Sequence, residues 1–147
     1  MFCISEVQLS YTPKFKRSEL PIISEARDAY NVLLEHWDMK TINLIEHFYV
    51  LLLSRSNKLL GIYEVSKGGF AGTVVDPKII FIAALKGCAS TIILAHNHPS
   101  GNLKPSQSDI SITKRLIEAG RILDLPVVDH LIVTEDGYLS FAEEGLL

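Results

Sequence analysis

Three stretches of nearly unbroken apolar sequence, at residues 48–53, 91–95 and 126–133, constrain this chain more than any other feature. Each is too short for a helix of its own and is rich in β-formers, so each reads as a strand. A strand that is apolar at successive positions, as 91–95 is, offers no side to water and must be covered on both faces. The segments between the strands carry helical spacing instead. Strands alternating with helices in this way specify an α/β domain with a mixed sheet between helices.

The helical segments can be placed by their apolar faces. Ser24 is positioned to cap a helix running to about Asp38, with Ala26, Tyr30, Leu33 and Trp37 on one face and Glu25, Arg27, Asp28 and Glu35 on the other. Pro77 suits the first turn of a second helix, whose buried stripe is Ile79, Ile80, Ala83, Ala84 and Cys88. On that stripe Cys88 reads as an inert core thiol. Ser106 opens a third, longer helix with Ile112, Leu116, Ala119 and Leu123 in register.

The remaining strands follow from turn signals. Residues 54–58 are turn-like, and a strand over 59–65 would close a hairpin with 48–53. Gly68, Gly69 and Gly72 precede a short strand predicted at 73–75, and residues 135–137 turn the chain into a last strand at 138–141. Residues 6–11 alternate polar and apolar through Val7, Leu9 and Tyr11, the pattern of a short strand ended by Pro13.

With 147 residues, 48% of them hydrophobic and 21% charged, the chain can bury a real core but has no room for a second. Residues 1–23 read as an N-terminal extension and 24–147 as the domain. Cys3 and Cys88 are too few for a disulfide framework, so a reducing, cytoplasmic setting is expected. No basic flank with an apolar core opens the chain and no stretch reaches a membrane span, so neither export nor membrane insertion is expected. The net charge of −3 argues against an electropositive face, and the small basic run of Lys14, Lys16 and Arg17 is too little to support nucleic-acid binding.

The chemistry concentrates between His96 and Asp109. Side chains two apart at a strand's carboxyl end point the same way, so His96 and His98 can put both imidazoles on one metal ion. A loop bearing Pro99, Gly101 and Pro105 turns the chain back, and Asp109 in the first turn of the next helix can supply a third ligand. Two histidines, one carboxylate and a free position describe a catalytic zinc rather than a closed structural site. The plain alternative for Ser106 and Asp109 is a capping box, and a lone His-x-His pair is more often incidental.

Hydrolysis also needs a base that is not a ligand. Glu46, just before the first buried strand, is the candidate, against the plain reading of a solvated helix-end carboxylate. Glu64, between Tyr63 and Val65, competes with it. Asp129 and His130 lie in a strand and face opposite sides of the sheet, which favours satisfied buried groups over an adjacent catalytic dyad. His36 and His47 have no spaced partner and read as structural or surface groups. The literal His96-Asn97-His98 is no HNH nuclease signature, because the named residues of that motif are spread over a ββα finger.

The spacing His-x-His-x7-Ser-x2-Asp with an upstream Glu resembles the JAMM motif of the JAB/MPN+ metalloproteins. The words around it resemble the RadC-like branch more narrowly: His96-Asn97-His98-Pro99-Ser100-Gly101, then Leu125-Pro126-Val127-Val128-Asp129-His130, and Gly137-Tyr138-Leu139-Ser140. The similarity runs from about Ser24 to Leu147. It implies a cytidine-deaminase-like three-layer α/β/α fold and a zinc peptidase or isopeptidase. It further implies that His96, His98 and Asp109 hold zinc, that Glu46 deprotonates the attacking water, and that Ser106 donates to the oxyanion. Larger members carry an N-terminal helix-hairpin-helix module for which this chain has no room. The expected partner is a peptide or isopeptide substrate, met through the rim of the site, self-association or a second protein. Two other readings remain: an accessory domain linked to DNA repair that keeps the fold without turnover, and a metal-dependent nuclease, for which an acidic chain is poorly built.

Overall fold

The computed structural model describes residues 2–69 and 73–147. Among these residues eight regular elements follow a 3-10 turn at Arg17–Glu19: α1 (Ala26–His36), β1 (His47–Leu53), β2 (Leu59–Lys67), α2 (Pro77–Lys86), β3 (Thr91–Asn97), α3 (Gln107–Ile122), β4 (Val127–Val133) and β5 (Tyr138–Ser140). The sheet has five strands in the order β2-β1-β3-β4-β5. β3 pairs with β4 in parallel, and the other neighbours are antiparallel. The three apolar runs therefore become the three inner strands, and every residue of β1 is buried.

Alternation along the strands sorts the core into two layers. Tyr49, Leu51, Leu53, Ile93, Ala95, Leu131 and Val133 pack with Ala29, Tyr30 and Leu33 of α1 on one face. Phe48, Val50, Leu52, Ile92 and Leu94 meet Ile80, Phe81 and Ala84 of α2 and Leu116 of α3 on the other. The result is the expected three-layer α/β/α arrangement. Each fully buried leucine contributes about 2 kcal/mol by leaving water. The Tyr30 hydroxyl donates to the Thr134 carbonyl at 3.0 Å and ties α1 to the end of β4.

Several expectations are corrected. Residues 6–11 form no strand, and Val7 and Leu9 are exposed, because among the described residues no strand pairs with them to receive the alternating pattern. Residues 73–75 are also outside any strand, and Gly72 lies outside the described residues. Glu25 rather than Ser24 holds the cap position of α1, because the Asp28 carboxylate reaches back to accept the amides of both residues at 2.8 and 3.2 Å. That helix stops at His36, where Trp37 turns extended and packs edge-on against Tyr49.

α2 ends at Lys86, so Cys88 falls beyond it, at φ 55° and exposed rather than in the core. Gly87 takes the buried position instead, where a Cβ would meet Leu52 Cδ1 at 2.6 Å. Leu123 is exposed at the end of α3, and Leu125 is buried in its place as the chain enters β4.

Candidate metal centre

β3 is the central strand, and its alternation places His96 on the α2/α3 face, 1% exposed and stacked on Phe48 at 5.8 Å. His98 lies one residue beyond the strand. Gly101, at φ 80°, lets the loop reverse in a conformation that side chains disfavour. Ser106 then caps α3: its hydroxyl oxygen accepts the Asp109 amide at 3.0 Å, and Asp109 Oδ2 accepts the Ser106 amide at 2.7 Å. The capping box exists, and it is what aims Asp109 at the histidines. The box and the ligand geometry are one arrangement.

His96 Nε2 and His98 Nε2 are 3.0 Å apart. Asp109 Oδ1 lies 3.2 Å from His96 Nε2, and Oδ2 lies 3.2 Å from His98 Nε2. A tetrahedral ion with N and O donors at about 2.0–2.2 Å sets neighbouring donors roughly 3.3 Å apart; the two imidazole nitrogens are close to that spacing, and one Asp109 oxygen faces each of them. All candidate ligand atoms lie within 4.8 Å of one another. His98 Nδ1 is 2.5 Å from the Asn102 carbonyl, which can only accept. In the neutral ring the proton of His98 therefore sits on Nδ1, which leaves the Nε2 lone pair facing the centre.

The electrostatics match a cation site. Burial alone would raise the Asp109 carboxyl, but His96 and His98, each 3.2 Å away, and the Ser106 amide hold it well below the usual carboxylate range. The Asp109 hydrogen bond raises His98 against the opposing effect of burial. Glu46 lies just before β1 and lines, with Phe48, Val75, His98, Ser106 and Asp109, an open cavity of about 700 Å³. Burial pushes its carboxyl up and Asp109 adds to this, while His96 and His98 pull it down.

Glu64 is placed elsewhere. It faces Tyr49 across the β1–β2 ladder, 3.4 Å from His47 Nδ1 and 3.5 Å from the Tyr49 hydroxyl. Tyr49 belongs to the α1 face, so the sheet stands between Glu64 and His96. His47 is buried beside this group, and His36 is exposed.

Four residues, Asn97, His130, Thr113 and Asp129, complete the surroundings with contacts that spacing alone did not reveal. Asn97 is wholly buried; its side chain accepts the His47 amide at 2.7 Å and donates to the Ile42 and Ile45 carbonyls at 2.6 and 2.9 Å. His130 Nε2 is 2.8 Å from His96 Nδ1, and His130 Nδ1 is 2.6 Å from the Thr113 hydroxyl. Asp129, on the opposite side of β4, accepts the His130 and Ala142 amides and the Ser140 hydroxyl. The two neighbours are thus satisfied separately, as strand alternation requires. A polar residue within an apolar run was the available signal for His130, since such groups must find partners; Asn97, between His96 and His98, had no such signal.

A family model described as RadC-like JAB domain matches residues 23–146. A UPF0758 protein of Flavobacterium johnsoniae is 44% identical over 130 residues, covering 87% of this chain and 55% of that protein. One from Caldanaerobacter subterraneus is 41% identical over 123 residues, covering 84% and 52%. One from Symbiobacterium thermophilum is 46% identical over 103 residues, covering 70% and 44%. The chain spans about half the length of these relatives.

Proposed function

The chain belongs to the RadC-like JAB domain family, and on that footing we propose that it is a zinc-dependent hydrolase of peptide or isopeptide bonds. The observation that carries this reading is the convergence of three ligand atoms within 4.8 Å beside a cavity that also holds Glu46, a carboxylate outside the ligand set. His96, His98 and Asp109 would hold the metal. When bound, zinc supplies Lewis acidity to the scissile carbonyl and eases deprotonation of the attacking water.

The other steps fall to the chain's own groups. Glu46 takes the proton of the attacking water and passes it to the leaving amine, and burial keeps its proton affinity above that of an ordinary carboxylate. The Ser106 oxygen already accepts the Asp109 amide, so its own proton is free to point into the cavity. There it donates to the oxyanion of the tetrahedral intermediate, a contribution of up to a few kcal/mol. Residues 73–75 form part of the cavity wall beside these groups.

Metal analysis of the purified protein tests the reading. Zinc is expected in stoichiometric amount in the unsubstituted chain and is expected to be lost in His96→Ala and Asp109→Ala. Equal zinc in all three would sink it.

A further inference from the structure

We propose that Thr113 and His130 are positioning residues that order the protons behind His96, so that its Nε2 presents a lone pair to the metal. The inference rests on the zinc reading above. It follows from counting donors along one buried chain of contacts. The Thr113 hydroxyl donates to the Asp109 carbonyl at 2.6 Å. A hydroxyl has a single proton, so with that bond made its oxygen can only accept from His130 Nδ1, 2.6 Å away. His130 therefore carries its proton on Nδ1 and turns a bare Nε2 toward His96 Nδ1 at 2.8 Å. His96 must donate across that gap, which leaves the Nε2 of its neutral ring unprotonated opposite His98 and Asp109.

Run in reverse, the same contacts give the opposite state. If the Thr113 proton turned to His130, His130 would donate to His96 Nδ1, and the proton of His96 would sit on Nε2, where a metal must bind. The carbonyl of Asp109 decides the direction. A ligand residue from α3 thereby sets the tautomer of a ligand from β3 through two side chains that touch no metal. His130 and Thr113 are 0% and 1% exposed, so water does not compete for these bonds. Partners of this kind typically change metal affinity about 10–100-fold.

Two substitutions at one position separate this role from packing. Thr113→Val keeps the shape and loses the hydroxyl; Thr113→Ser keeps the hydroxyl and loses a methyl group. Zinc dissociation constants would be measured by competition with a chromophoric chelator, alongside unfolding of the zinc-free proteins. Thr113→Val is expected to bind zinc at least about tenfold more weakly, with Thr113→Ser within about threefold of the unsubstituted chain. Equal affinity in Thr113→Val, or a loss in Thr113→Ser as large as in Thr113→Val, overturns the proposal. Should Thr113→Val not fold, long-range proton–nitrogen NMR of the zinc-loaded unsubstituted protein decides it: a proton on His130 Nδ1 supports the relay, and one on Nε2 overturns it. Failure of the zinc reading shows differently, as no zinc uptake by the unsubstituted chain, and withdraws both.

Discussion

The Asn97 carboxamide accepts the backbone amide of His47 at 2.7 Å, joining the residue between the two candidate histidine ligands to the residue after the candidate base. Strand alternation sends His96 to one face of the sheet and Asn97 to the other. On that second face Asn97 also holds the Ile42 and Ile45 carbonyls, so β3 fastens the turn that leads to Glu46. One three-residue stretch thus arranges both halves of the site.

Asn97→Ala leaves one amide and two carbonyls without their partner. At about 1–3 kcal/mol for an unpaired buried group, with partial relief by water, a loss on the order of 3 kcal/mol is expected. Equilibrium urea unfolding would show a lower midpoint with an unchanged slope. Asn97→Asp is expected to cost more, because a carboxylate would face the two carbonyls. A midpoint equal to that of the unsubstituted chain would refute this account.

Zinc should stabilise the fold. A ligand at a hundredfold excess over its dissociation constant adds about 2.7 kcal/mol, which for a domain of this size raises Tm by roughly 5–10 °C. Scanning calorimetry with zinc and with a chelator would measure the difference, and Asp109→Ala should show none.

Glu46→Gln should lower isopeptide cleavage about 100-fold or more while zinc content stays unchanged. Glu64→Gln, on the far face of the sheet, should leave the rate near that of the unsubstituted chain. The reverse ranking would move the base to Glu64.

Gly120→Ala should destabilise the protein although alanine is the better helix former. A Cβ there would lie 2.3 Å from the Leu125 carbonyl oxygen, which is backbone and cannot swing aside. The helical gain of about 1 kcal/mol is outweighed by overpacking, for a net loss of about 2 kcal/mol. Thermal unfolding would register it, and a raised Tm would contradict the packing described.

Tyr49 should give the fold an alkaline limit. Burial, then the charge and hydrogen bond of Glu64, push its hydroxyl from 10.0 up to about 12. A folded pKa above the unfolded one stabilises fully below pH 10 and is lost as pH rises toward 12. Stability measured across that window should fall more steeply for the unsubstituted chain than for Tyr49→Phe. Parallel curves would remove Tyr49 as the cause.

The amino-acid order by itself determined the inner strands, because an apolar run such as 48–53 has no exposed conformation to prefer, and the helices, because their apolar faces repeat with the helical period. It also placed His96, His98 and Asp109 together, since a strand end, a short loop and a helix cap join them within one local unit. Tertiary structure decided the rest. Residues 6–11 have the pattern of a strand and, among the described residues, no pairing strand to complete it. Cys88 falls outside the core because Gly87 ends α2 one residue earlier. The sequence favours Glu46 over its competitor Glu64, and the structure puts Glu46 at the cavity with His98 and Asp109 and Glu64 across the sheet beside Tyr49. His130 reaches His96 only because β4 lies parallel to β3 with His130 beside Leu94. Local signals act over a few residues, whereas register is set by packing the whole sheet, so contacts made across strands cannot be read from spacing.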